Sequence, residues 1–126
     1  MKIDMHVHTN RYSHCARMTP EEMAQAALDN GLDGVVITEH DNLWSVEEIL
    51  ELQKCFPRLK ILRGVEISSK QGHVLVYGVP FIDGMYKGIP IEELVNYVHQ
   101  YNGIAIVAHP CRYSDDIPQE LFTAGI

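Results

Sequence analysis

Hydrophobic and polar positions along this chain alternate between the two-residue period of strands and the near-four-residue period of amphipathic helices. Lys2 to Met5 reads as a first strand. Thr19-Pro20-Glu21-Glu22 opens a helix, with Thr19 as N-cap, Pro20 in the first helical position and Glu22 closing a capping box. Met23, Ala26 and Ala27 give that helix an apolar stripe, and Gly31 ends it. Gly34 to Thr38 is a continuous apolar run of the kind buried on both faces of a sheet. A second capping box, Ser45 to Glu48, starts a helix through Val46, Ile49, Leu50 and Leu52 that stops before Pro57. Ile61 to Ile67 and His73 to Tyr77 are the third and fourth strands. Pro90 to Tyr101 predicts a helix that buries Ile91, Leu94, Val95 and Val98, closed by Gly103, and Ile104 to Ala108 is a fifth strand.

Strands alternating with helices imply βαβ units, a mainly parallel sheet and right-handed crossovers. One connection breaks the pattern. Ser68-Ser69-Lys70-Gln71 is too short for a parallel crossover and predicts a hairpin, pairing Ile67 with Gly72 and Glu66 with His73. Leu28-Asp29-Asn30-Gly31-Leu32 leads into the second strand, and Leu121 to Ile126 repeats that lead-in where the chain stops. Complete (β/α) barrels run to about 200 residues or more. The chain therefore reads as five strands of an incomplete barrel, either a fragment or one whose open edge a second copy covers.

At 126 residues, 46% of them apolar and 21% charged, the chain has room for one soluble globular domain. No apolar run approaches the ~18 residues of a membrane span, and the N-terminus has no signal-peptide pattern, so the expected location is cytoplasmic. A net charge of -7 without any run of Lys or Arg argues against a nucleic-acid surface. It leaves an anionic substrate open, because divalent ions held by neutral imidazoles invert the field locally. Cys15, Cys55 and Cys111 form no disulfide framework and read as small buried hydrophobes. Cys15 beside His14 and Cys111 near His109 keep a thiolate ligand as the alternative.

Candidate chemistry collects where parallel α/β proteins place it, beyond the C-terminal ends of strands. His6 and His8 end the first strand on one face with Asp4, and His14 lies in the loop that follows. His40 follows the second strand, Glu66 closes the third, and His109 follows the fifth. The hairpin pairing returns His73 to the rim occupied by Glu66. A dry cluster of imidazoles has no packing rationale, so His6, His8, His14, His40, Glu66, His73 and His109 are expected to bind metal. Asp4 and Asp41 read as acceptors that fix histidine tautomers. His99, mid-helix, is left out as a solvated side chain.

Asp4-Met5-His6-Val7-His8-Thr9, Thr38-Glu39-His40-Asp41, Gly64-Val65-Glu66-Ile67, His73-Val74-Leu75 and Ala108-His109-Pro110 together resemble the PHP (polymerase and histidinol phosphatase) family. The resemblance covers residues 1–126 and implies a distorted TIM-like (β/α)7 barrel, here only its first five strands. It also implies up to three divalent ions (zinc, manganese or iron) that hydrolyse phosphate esters. By that resemblance His6 and His8 hold one ion, Glu66 bridges to a second completed by His73 and His109, and His14 and His40 hold the third. The family's last-strand Asp-x-His has no counterpart after His109, which leaves two of the ions a ligand short.

The implied activity is hydrolysis of a phosphate monoester or diester of a small metabolite or nucleotide by a metal-bound hydroxide, with Glu66 and His109 in the catalytic centre. Arg112, three residues after His109, is placed to grip a phosphoryl oxygen. Three other readings stay open: a histidinol phosphatase, a non-catalytic PHP module of the polymerase-associated type, and a metal-dependent hydrolase of C–N bonds. The partner expected is a small phosphorylated substrate, and Val79 to Pro90 is a candidate specificity loop.

Overall fold

The computed structural model describes residues 1–112 and 116–126. Its elements alternate as the hydrophobic pattern requires: β1 (Ile3–Val7), α1 (Pro20–Asp29), β2 (Gly34–His40), α2 (Val46–Cys55), β3 (Lys60–Ser68), β4 (His73–Tyr77), α3 (Ile91–Gln100), β5 (Ile104–Val107) and α4 (Glu120–Thr123). Strand order in the sheet follows the sequence, β1-β2-β3-β4-β5. The chain divides into two compact units, Met1–Gly64 and Val65–Ile126, with β3 passing from one to the other.

In the first unit β1 and β2 are parallel, with Ile3 opposite Gly34 and a register shift between Asp4 and Val7. The strands enter at one level: the Asp33 N–H donates to the Lys2 carbonyl at 2.8 Å, and the Lys60 N–H to the Asp33 carbonyl at 2.9 Å. Gly34 is required there, because a Cβ would sit 2.9 Å from the Lys60 carbonyl oxygen. Both capping boxes form as read, Thr19 with Glu22 and Ser45 with Glu48. Gln53 supplies a device the sequence did not announce. Its amide donates to the Phe56 and Leu59 carbonyls and its oxygen accepts from the Ile61 N–H, which pins the α2–β3 turn.

The core of this unit joins Met23, Ala24 and Ala27 of α1 to Val35 and Ile37 of β2, with Trp44, Ile49, Leu52, Leu59 and Ile61. Val36 is buried as well, so β2 is covered on both faces as its unbroken apolar run predicts. Val46 and Leu50 are 48% and 53% exposed, so α2 buries only Ile49 and Leu52. An α2 stripe needs residues three and four apart, and Val46 and Leu50 lie on the flank of the one centred on Ile49 and Leu52. Cys15, Cys55 and Cys111 are exposed thiols rather than buried hydrophobes.

In the second unit β4 and β5 are antiparallel, with Val74 opposite Val107 and Tyr77 opposite Ile104. The sheet is therefore mixed, as the short turn between β3 and β4 demands, because it reverses the chain. That turn closes through the Ser69 N–H on the Gly72 carbonyl at 3.0 Å. It also holds α3: Gln71 Oε1 accepts from the Ile91 N–H at 3.0 Å, replacing the side-chain cap that Pro90 cannot provide. Ile91, Leu94, Val95 and Val98 are all buried, as their spacing predicts. The loop at residues 79–90 packs along α3, with Phe81 against Tyr101 and the Tyr86 hydroxyl on Glu93. The repeated lead-in is structural too: α4 ends near Gly125 at φ 82°, as α1 ends near Gly31 at φ 70°. Among the described residues no helix is long and apolar enough to cross a membrane.

These burials set a contrast within one helix. Leu52→Ala should cost about 2–5 kcal/mol and Leu50→Ala less than about 0.5 kcal/mol, read from urea unfolding midpoints. Equal losses would mean that α2 packs through a different face.

Candidate metal centre

The first unit gathers three of its four candidate histidines. His6 and His8 alternate along the end of β1, and their Nε2 atoms lie 3.1 Å apart with the rings edge to face at 76°. The His40 ring, at the end of β2, stacks on His8 with centroids 4.5 Å apart and planes within 14°. His14 is exposed in the loop after β1, and among the described residues no hydrogen bond or ring contact joins it to the other three. Asp4 does not reach an imidazole. Its Oδ1 accepts from the backbone N–H of His6 at 3.0 Å, and the exposed side chain organises the strand end instead.

The second unit gathers all three of its candidate ligands. Glu66 is completely buried, and its Oε1 lies 2.8 Å from His73 Nδ1 and 2.9 Å from His109 Nε2. The two rings stand 5.2 Å apart at 67°. The predicted pairing of Glu66 with His73 thus has its consequence: both side chains emerge on one face next to the β3–β4 turn. His109 is held in the left-handed region at φ 33°, which a residue with a Cβ enters at a cost of about 1–3 kcal/mol. Asp41, directly after His40, is likewise at φ 50°. Among the described residues, two of the three non-glycine residues with positive φ therefore coincide with, or directly follow, a predicted ligand. Arg112 is exposed, and its backbone N–H donates to the His109 carbonyl at 3.0 Å, closing the turn that carries His109.

Each set suits a divalent cation in donor type and spacing. Two nitrogens bound tetrahedrally at about 2.0–2.1 Å from zinc lie about 3.3 Å apart, so the observed 2.8–3.1 Å separations need only a small opening. Imidazole nitrogens with one carboxylate oxygen form the borderline donor set that zinc, manganese and iron accept.

Behind the first set lie groups that the sequence did not single out. Glu39 is completely buried within an otherwise apolar strand. It accepts from the Thr9 N–H at 3.1 and 3.2 Å, from the Thr9 hydroxyl, and from the Trp44 indole N–H at 3.3 Å. Buried Ser13 accepts from the His40 N–H at 3.0 Å. The available signal was a carboxylate interrupting a run that is otherwise buried on both faces, next to a candidate ligand.

The loop after β1 is clamped to α2. Arg11 lies 2.9 Å from Glu48 and over the Trp44 ring at 4.9 Å, and the Tyr12 hydroxyl donates to Glu48 at 2.6 Å. Burial pushes the Glu48 carboxyl up, but the Tyr12 and Ser45 hydrogen bonds and the Arg11 charge outweigh it and leave Glu48 below its ordinary value.

Strand ends that carry imidazoles and a buried glutamate in a βαβ-type chain define an α/β domain with a candidate metal-binding group. The PHP domain profile matches residues 4–120, and the chain belongs to that family. An uncharacterized protein of Methanocaldococcus jannaschii is 28% identical over 120 residues, 87% of this chain and 68% of that protein. Two solved structures share the fold, each at 16% identity and covering 99% of this chain. One, from Bifidobacterium adolescentis and provisionally assigned as a metal-dependent phosphoesterase, has a TM-score of 0.78 over 73% of its own chain. The other, an amidohydrolase from Chromobacterium violaceum with bound sulfate and no metal, has a TM-score of 0.67 over 75% of its chain. The fold is accordingly the α/β architecture of PHP type, represented here by five strands.

A carboxyl whose folded pKa is lowered stabilises the protein above its unfolded value near 4.5, and that contribution is lost as pH falls through the lower folded value. Tyr12→Phe should therefore cost about 0.5–1 kcal/mol in urea unfolding at pH 7 and progressively less as Glu48 protonates. A cost unchanged between pH 7 and pH 3 would contradict the Glu48 linkage.

Proposed function

We propose that this chain acts as a metal-dependent phosphoesterase on a phosphate monoester or diester of a small metabolite or nucleotide. The observation that carries the reading is Glu66, a fully buried carboxyl whose single Oε1 meets imidazole nitrogens from β4 and from the turn after β5. Membership of the PHP family supports metal-dependent hydrolysis, and the phosphoesterase assignment of the Bifidobacterium protein supports the ester as the bond cleaved. In this proposal His6, His8, His14 and His40, and likewise Glu66, His73 and His109, are metal ligands, with up to three zinc, manganese or iron ions held in all. Divalent ions bound there supply charge neutralisation for the phosphoryl group and lower the pKa of coordinated water toward ~7.

The chain's own residues then have separable tasks. Glu66 and His73 come from neighbouring strands, so their mutual geometry is set by the sheet rather than by a flexible loop. The positive φ of His109 aims its Nε2 back at the same carboxylate oxygen. Arg112 remains exposed on the same turn, where a planar guanidinium can hold a phosphoryl oxygen bidentately. Exposed His14 serves the third ion in this reading, and a second copy of the chain covers the open edge of the sheet. A second reading, metal-dependent hydrolysis of a C–N bond, is favoured only by the fold shared with the Chromobacterium amidohydrolase.

The experiment is elemental analysis of the purified protein together with hydrolysis of p-nitrophenyl phosphate, bis(p-nitrophenyl) phosphate and an activated anilide, with added manganese. The expected result is bound metal and ester turnover, with Glu66→Gln lowering turnover about 100-fold or more while losing metal. Anilide turnover alone selects the second reading, and metal-independent or undiminished turnover in Glu66→Gln refutes the first.

A further inference from the structure

We infer that Glu39 is a positioning residue that fixes His8 and His40 in their stacked geometry, an inference that rests on reading those two histidines as ligands of the proposed centre. Glu39 and His40 are neighbours on β2, so their side chains leave opposite faces of the strand. The His40 ring goes to the cluster, and the Glu39 carboxyl goes into the interior, where it is completely buried. Burying a carboxyl is unfavourable by several kcal/mol unless donors meet it. Here they do: the Thr9 N–H and hydroxyl, and the Trp44 indole N–H. Valine or isoleucine, as at Val35 and Ile37, would satisfy the packing of this strand without such donors.

What the acid adds is a cross-link at the residues directly behind both rings. Thr9 follows His8, and Glu39 precedes His40. The β1–β2 register shifts between Asp4 and Val7 and resumes at Val7 opposite Ile37, the pair just short of both rings. Past that pair, side-chain bonds take over: Thr38 Oγ1 donates to the Val7 carbonyl at 3.2 Å, Glu39 holds Thr9, and Ser13 holds the His40 N–H. The product is a pair of imidazoles within 14° of parallel at 4.5 Å. Groups that orient ligands in this way typically change metal affinity about 10- to 100-fold when altered.

The test uses the full chain with Glu39→Gln, which keeps the shape and one acceptor but turns an amide NH2 toward the Thr9 N–H. Three readings are taken: the imidazole Cε1–H resonances of the metal-free protein, Trp44 fluorescence (Trp44 is the sole tryptophan), and calorimetric titration with Mn2+. In a variant with wild-type circular dichroism, the His8 and His40 resonances should lose their mutual ring-current displacement while His73 stays in place. Mn2+ affinity should fall about 10- to 100-fold. Wild-type resonances for His8 and His40 in folded Glu39→Gln would overturn the inference. If the wild-type chain takes no Mn2+ but Glu39→Gln still moves those resonances, the ligand reading fails and the positioning role stands. Should Glu39→Gln not fold, Thr9→Val, which keeps the N–H and loses the hydroxyl, decides the matter. A smaller displacement in the same direction supports the role, and none refutes it.

Discussion

A carboxyl group sealed from water must be met by donors or by a cation, and much of this chain is arranged around that constraint. Among the described residues it arises at Glu39 and at Glu66, and both side chains are completely buried. At Glu39 the demand is met by N–H and O–H donors, and the result is rigidity. At Glu66 it is met by two imidazole nitrogens on one oxygen, a pairing that can also serve a cation. The chemistry proposed for the chain follows from this difference between two otherwise similar groups.

The same constraint shows in the backbone around the candidate ligands. Unfavourable positive φ values fall at Asp41 and His109, within one residue of candidate ligand positions at the ends of β2 and β5. Regular strand geometry would carry the chain away from the sheet end, and these turns redirect it. The loop after β1 lacks such a turn at His14 and relies on Arg11, Tyr12 and Glu48 to hold its first part against α2. His14 stays exposed, because the side chains that anchor this loop lie before it.

Much of the fold was legible because its signals are local. Capping boxes at Thr19 and Ser45 need only residues three apart, and α3 declares itself through Ile91, Leu94, Val95 and Val98. The partnership of Glu66 and His73 was legible for a related reason: four intervening residues leave only a hairpin, and a hairpin fixes its own register. The three cysteines were misplaced because residue type carries a statistical preference for burial, whereas burial itself depends on which face of an element meets a neighbour. Gln53 and Gln71 were silent, since each caps backbone groups in a segment that only the folded chain brings to it.

By itself the sequence determined the order of elements, the hairpin between β3 and β4, and which histidines and glutamate are candidate ligands. Periodicity, caps and strand ends act within a few residues and need no knowledge of distant contacts. Tertiary structure alone decided that Glu39 turns inward to Thr9 and Trp44, that His8 stacks on His40, and that one oxygen of Glu66 serves both His73 and His109. Those relations join residues from five to more than forty positions apart, and ångström-scale separations between such residues exist only once packing has fixed the strands and turns that carry them.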